Sequence, residues 1–150
     1  GTRMNVKAET LIRRPPAEVY PLFVEPDHLT KFWLSAASGP LEVGKTVRWD
    51  FLVKGASVDS TARELVPGQR IAIDWSDGTQ VTWTFAPHAE GTLVTVEHFG
   101  CGEDQNPMDR CEGHTWVLAD AKLLAETGKS GGMVKDKAQT IEEFYSARKS

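Results

Sequence analysis

Two histidines and two cysteines stand at spacings that a metal ion could use. Two residues separate His98 from Cys101, nine separate Cys101 from Cys111, and two separate Cys111 from His114. Thiolate and imidazole groups are the usual ligands of tetrahedral zinc. The loop between the pairs does not resemble a zinc ribbon, so we predict no metal site. The two cysteines either lie apart or, if the protein meets an oxidising compartment, form a disulfide bond.

His98 is the most informative of these four residues. It follows Val94 and Val96 at every second position, which places all three side chains on the same face of a strand. If that face is covered, His98 is buried. It is then either a polar group that orients a ligand or transfers a proton, or a hydrogen-bonded histidine of the core or the sheet end.

Large aromatic side chains recur along the same part of the chain, and five tryptophans are many for 150 residues. They could line a binding pocket or simply fill a core, because aromatic residues dominate ordinary cores as well. The predicted pocket residues are Trp49, Phe51, Trp75, Trp83, Phe85 and Trp116. Trp33 ends a short predicted helix beside the expected pocket mouth, where it is either a gate or a plug.

The spacing of serines, cysteines, histidines and carboxylates reveals no nucleophile with an adjacent base and no paired carboxylates. We therefore assign no catalytic residue and no cofactor. An acidic stretch comprising Glu103, Asp104, Asp109 and Glu112 is interpreted as a solvated loop and helix start.

Composition excludes several other classes of protein. The net charge is −4 and no basic stripe appears, which argues against nucleic acid or an anionic membrane as partner. No apolar run approaches the roughly 20 residues of a membrane-spanning helix, and no secretory signal is recognised. With two cysteines, we expect a cytoplasmic protein with reduced thiols.

The segment Pro67–Gly100 indicates three strands joined by two tight turns. Asp77-Gly78 and Ala89-Glu90-Gly91 supply turn residues that tolerate positive φ. Alternating patterns predict three further strands, and the complete set of six comprises Met4–Ile12, Thr46–Val53, Val58–Val66 and the three strands of this segment.

Helical patterns occur on both sides of these strands. Two short helices are predicted over Ala17–Phe23 and from Pro26 to Trp33. The longest helix is predicted over Arg110–Thr127 and ends at Gly128, a typical C-terminal cap. A weaker amphipathic helix follows in Gly131–Ser150. The predicted fold is therefore α+β, a curved six-stranded antiparallel sheet wrapped around the long C-terminal helix, with a ligand-sized hollow between them.

Several pieces of the chain resemble the START-like superfamily, also called SRPBCC or birch-pollen-allergen-like, and within it the homologues of the heat-shock ATPase activator. The matching pieces are Ala17–Tyr20, Asp27–Leu29, Phe32-Trp33, Glu64–Trp75, Gly91–His98 and Gly113 with Trp116. The resemblance covers Val6–Gly128. It implies a helix-grip fold whose sheet holds the helix over a hydrophobic cavity. The chain length predicts one domain over residues 1–150, with a core at about 4–128 and a helical extension at 129–150.

Three functions follow as alternatives. The first is binding of a small apolar or amphipathic molecule between sheet and long helix by the aromatic residues named above together with His98. The second, implied by the resemblance, is contact with a chaperone. The third is a cavity enzyme that uses His98 as acid or base, although a fold alone does not establish such chemistry. A homodimer is a further possibility that the sequence leaves open.

Overall fold

The fold is that of a computed structural model, which describes residues 3–102 and 113–149. The described part contains seven strands, four α-helices and one 3₁₀ turn. The strands are β1 (Arg3–Ile12), β2 (Leu34–Ala37), β3 (Thr46–Phe51), β4 (Ser57–Val66), β5 (Arg70–Trp75), β6 (Gln80–His88) and β7 (Gly91–Gly102). The helices are α1 (Pro16–Val19), α2 (Pro26–Phe32), α3 (His114–Thr127) and α4 (Met133–Lys149), with the 3₁₀ turn at Tyr20–Phe23 directly after α1.

All strands join one antiparallel sheet in the order β1-β7-β6-β5-β4-β3-β2. Apart from the pairing of β1 with β7, every neighbour in the sheet is also a neighbour in sequence, so short turns connect most of them. The pairing of β1 with β7 brings the start of the chain beside the strand that carries His98, with Val6 opposite it. The predicted α+β class and antiparallel sheet are confirmed.

The predicted number of strands is wrong, because the sheet has seven and not six. The missed strand is β2, which has the sequence Leu-Ser-Ala-Ala. Its four residues are too few to show alternation, and alanine and serine do not favour strands. Backbone pairing with β3, with Leu34 opposite Phe51 and Ala37 opposite Trp49, makes this segment a strand.

Helix α3 begins at His114 in the described residues, and the predicted helical residues 110–112 lie outside them. Its buried side chains follow helical spacing: His114, Val117, Leu118, Ala121 and Leu124. Gly128 ends the helix in a left-handed conformation with φ 80°, as predicted. This stripe supplies the helical side of the core.

The C-terminal residues form a second helix, α4, which packs on α3 and α2. Asp120, fully buried on α3, fixes the connection between the two helices. Its carboxylate accepts hydrogen bonds from the Ser130 hydroxyl at 2.5 Å and from the Gly131 N–H at 2.6 Å. On α4, Ala138 is buried, and Glu142 accepts a hydrogen bond from the Lys54 N–H. The predicted tail helix is thus anchored to the rest of the fold.

Gly91, at the start of β7, is the glycine whose replacement should disturb the fold most. Its φ is +148°, and a Cβ placed there would collide with the carbonyl oxygen of Ile12 and lie 2.8 Å from backbone atoms of Arg13 and Arg14. We expect Gly91→Ala to lower the free energy of unfolding by about 3 kcal/mol or more in urea denaturation.

Gly55 provides the matched control. Its φ is +81°, also unfavourable for alanine, but nothing lies within 4 Å of the added carbon. Gly55→Ala should therefore lower the free energy of unfolding by only about 1–2 kcal/mol. Equal losses in the two variants would show that collision with the β1–α1 connection is not decisive.

Candidate functional site

Six of the predicted site residues form one aromatic cluster between the sheet and α3. Strands β3, β5, β6 and β7 contribute their inward-facing side chains at alternating positions, and α2 contributes Trp33 from its C-terminal end. The six are Trp33, Trp49, Phe51, Trp75, Trp83 and His98. Ring centroids of neighbouring members lie 4.9–6.2 Å apart, the separation of aromatic pairs in contact.

Trp33 lies inside this cluster and is only 4% exposed. Its ring centroid is 5.2 Å from that of Trp49, 5.9 Å from that of Trp83 and 6.3 Å from that of His114. Trp33 therefore connects the sheet side of the cluster with the first residue of α3.

Two predicted pocket residues lie elsewhere. Phe85 is buried beneath the first helical segment, where it packs against Tyr20 and Phe23 with centroids 5.5 and 5.9 Å away. Trp116 is 47% exposed, so the prediction that it lines the pocket with the others is not supported. Each helical residue turns by about 100°, and the stripe that begins at His114 leaves Trp116 on the other side of α3.

The cluster encloses polar atoms that have no hydrogen-bond partner among the described residues. These are the indole N–H groups of Trp49, Trp75 and Trp83 and the hydroxyl of Ser60. Ser60 is fully buried on β4, directly opposite Trp75 in the sheet. A buried tryptophan usually finds an acceptor for its N–H, and leaving one unpaired costs about 1–3 kcal/mol. Three such donors in one cluster are the clearest sign of a site here.

His98 is fully buried on the covered face, as the alternation predicted. Both of its ring nitrogens have partners. Nδ1 lies 3.0 Å from Nε2 of His114, and Nε2 lies 2.7 Å from the hydroxyl oxygen of Thr79. The hydroxyl of Thr79 in turn donates to a carboxylate oxygen of Asp77 at 2.6 Å. A chain of four side chains thus runs from the exposed β5–β6 turn to the interior.

His114 and Thr79 are site residues that the sequence did not reveal as such. His114 entered only through its spacing from Cys111, and its contact with His98 depends on how α3 meets β7. For Thr79, a local signal existed: a hydroxyl two residues after an aspartate in a turn often bonds to that carboxylate.

The pKa of His114 is lowered from its ordinary value near 6.5 to about 3, first because burial disfavours the charged imidazole and second because His98 is close. His114 is therefore neutral at physiological pH. A neutral imidazole donates from one nitrogen and accepts at the other.

The described residues hold no cluster of three or more side chains suited to a metal ion. Nδ1 of His98 and Nε2 of His114 face each other in a hydrogen bond instead of facing a metal ion. Cys101 is half of a disulfide bond, which differs from the reduced thiols that the sequence led us to expect. Cys111 and the predicted acidic loop lie outside the described residues.

A polar groove of about 300 Å³ lies on the opposite, solvent-facing side of the sheet. Its walls include Arg63, Arg70, Thr82 and Glu97. The two arginines are engaged locally, Arg63 with Asp74 and Arg70 with Glu64. This groove is separate from the aromatic cluster, and its lining combines polar side chains with Phe99.

Comparison with known proteins identifies the family. The model of the family described as "Activator of Hsp90 ATPase homolog 1-like protein" matches residues 13–121. This is most of the chain, and the protein belongs to that family, as the sequence resemblance indicated. A search of curated proteins gives no significant match.

Solved structures confirm the helix-grip type of fold. A protein from Staphylococcus saprophyticus is 25% identical with a TM-score of 0.70, covering 85% of this chain and 95% of its own. The Aha1 dimer from Colwellia psychrerythraea is 23% identical with a TM-score of 0.76, covering 85% and 99%. An AHSA1-like protein from Aeromonas hydrophila is 21% identical with a TM-score of 0.70, covering 83% and 94%.

Among the described residues, no helix combines the length and the apolar character that crossing a membrane requires.

The lowered pKa of His114 predicts how stability changes with pH. Between pH 6.5 and about 3, the unfolded chain binds a proton at this residue and the folded chain does not. The free energy of unfolding should therefore fall as the pH is lowered through this range, by up to about 1.4 kcal/mol per pH unit from this group. Urea denaturation at a series of pH values measures the slope.

Other groups also titrate in that range, so the comparison with variants isolates the contribution of His114. His114→Phe keeps a ring in place and should give a shallower slope than the wild type. The assignment is contradicted if His114→Phe and wild type lose stability in parallel as the pH falls.

Proposed function

We propose that this protein binds a small, planar, largely apolar molecule between the sheet and α3, and that the molecule carries hydrogen-bond acceptors. The observation that carries the proposal is the set of three buried indole N–H groups in one aromatic cluster that have no acceptor among the described residues. A carbonyl or ether oxygen placed among them would satisfy one or two of these donors.

The aromatic surroundings support a planar ligand. The rings of Trp33, Trp49, Trp75 and Trp83 meet at several angles, from tilted to edge-on, so a flat molecule inserted among them would find both ring faces and ring edges. Burial of about 200 Å² of apolar ligand surface would contribute roughly 5 kcal/mol before the cost of ordering.

Entry to the cluster would depend on movement of a side chain. Trp33 is the best placed for this role, because it follows the seven-residue helix α2 and is not part of the sheet. Displacing it would separate the sheet side of the cluster from His114 without breaking a backbone hydrogen bond between strands. Of the two roles predicted for Trp33 from the sequence, gate or plug, the gate is the one proposed here.

Fluorene and fluorenone test the proposal as a matched pair, since only the second has a carbonyl oxygen. We expect fluorenone to bind more tightly in isothermal titration calorimetry. At least one of Trp49→Phe, Trp75→Phe and Trp83→Phe should weaken fluorenone binding about fivefold, the effect of one net hydrogen bond, and leave fluorene binding nearly unchanged.

Trp116→Phe, on the exposed side of α3, serves as the control and should alter neither affinity. If neither compound binds, the proposed site is wrong. If both bind equally in every variant, the indole donors play no part in recognition.

The family supplies a second candidate function, contact with a chaperone, because its name refers to an activator of the Hsp90 ATPase. Such a role would depend on the protein surface and not on the cluster. We expect an ATPase assay with the chaperone to distinguish the two. Stimulation that survives Trp83→Phe unchanged would favour the chaperone role over ligand binding as the function of this chain.

A further inference from the structure

Ser60 interrupts the apolar inner face of β4. Its neighbours on that face, Val58 and Ala62, are buried and apolar, and Ser60 itself is fully buried. The Ser60 hydroxyl has no hydrogen-bond partner among the described residues. An unpaired buried hydroxyl destabilises a fold, and alanine would fill nearly the same space without that cost. The hydroxyl is therefore available to a bound molecule.

This unpaired hydroxyl lies beside an unpaired indole. Ser60 and Trp75 are directly opposite each other in the pairing of β4 with β5, so both side chains stand on the covered face. The Cβ atoms of such a pair are about 4.5–5.5 Å apart. Neither the hydroxyl nor the indole N–H bonds to the other. Two neighbouring donors of this kind suit one carbonyl oxygen, because that oxygen has two lone pairs.

The N–H of Trp83 belongs to another part of the covered face. Trp83 on β6 is opposite Ile71, which precedes Trp75 by four residues on β5. At about 3.3 Å per residue, the backbone of Trp83 lies about 13 Å farther along the strands than that of Ser60 and Trp75. An oxygen shared by the hydroxyl and the first indole has no lone pair left for this third donor. A second acceptor is needed there.

We propose that the bound molecule is a planar dicarbonyl compound. One carbonyl oxygen accepts hydrogen bonds from the Ser60 hydroxyl and the Trp75 N–H, and a second one, at the opposite edge of the molecule, accepts from the Trp83 N–H. This inference rests on the proposed function and narrows the ligand class from one acceptor oxygen to two. It also assigns a role to Ser60, a residue that the sequence did not single out, as the group that selects the first carbonyl.

Xanthone and 9,10-anthraquinone test the number of carbonyl groups as a matched pair. Both have the same outline of three fused rings, but xanthone has an ether oxygen, a weaker acceptor, where anthraquinone has its second carbonyl. Quenching of tryptophan emission measures both affinities. We expect anthraquinone to bind wild type about fivefold more tightly, the gain of one net hydrogen bond.

Three variants assign the two oxygens. Ser60→Ala should weaken the binding of both compounds about fivefold, because each places a carbonyl beside Ser60 and Trp75. Trp83→Phe should weaken anthraquinone alone and abolish its advantage over xanthone. Thr61→Val is the control, since it removes a hydroxyl from the outer face of the same strand, where Thr61 bonds to the hydroxyl of Thr46 at 2.7 Å. This variant should alter neither affinity.

Urea denaturation without ligand separates recognition from a structural role of the hydroxyl. Because the Ser60 hydroxyl is unpaired, Ser60→Ala should leave the denaturation midpoint unchanged or raise it, while binding is weakened. A lower midpoint would mean that the hydroxyl is bonded within the protein, which overturns the inference.

Two binding results would also overturn it: equal affinity of wild type for xanthone and anthraquinone, or undiminished binding of both compounds to Ser60→Ala. In either case the proposed function stands as long as fluorenone binds. If fluorenone does not bind, the proposed function itself fails.

Discussion

The rest of the structure depends on covering one face of the sheet. That face carries a tryptophan on each of β3, β5 and β6, and each buried aromatic side chain removes about 150–250 Å² from water. No strand can cover its own face, so a helix must lie across it. Helix α3 does this with a narrow aliphatic stripe and with His114 at its first turn. Trp33 and the 3₁₀ turn close the remaining side.

This apolar arrangement contains a polar line of side chains. The hydrogen bond between His98 and His114 ties the middle of β7 to the start of α3, and Thr79 and Asp77 extend it to the surface. Low polarity strengthens each bond along this line, and it also raises the penalty for any polar atom left without a partner. The indole N–H groups of Trp49, Trp75 and Trp83 incur that penalty. An ordinary structural core would more often carry phenylalanine or leucine at such positions, and this difference is the basis of the proposed binding site.

Much of the fold could be predicted from local patterns. Alternation together with turn residues identified six of the seven strands in the described residues, and alternation placed His98 on the covered face. Gly128 marked the end of α3. The short strand β2 escaped because Leu34–Ala37 has no alternating pattern, and pairing with β3 alone makes it a strand. Trp116 was predicted to line the pocket as one of a set of aromatic residues, yet the phase of α3 leaves it 47% exposed.

The sequence by itself determined the periodicity of each element, the apolar face of the sheet and the family to which the chain belongs, because these depend on neighbours within a few residues. Tertiary structure decided which side chains meet. Asp77 lies in the β5–β6 turn, Thr79 directly precedes β6, His98 lies on β7 and His114 begins α3, so these side chains meet only because α3 packs on the sheet. Tertiary structure also decides whether a buried indole N–H finds an acceptor. The acceptor can come from any part of the chain, so no local sequence pattern reveals it.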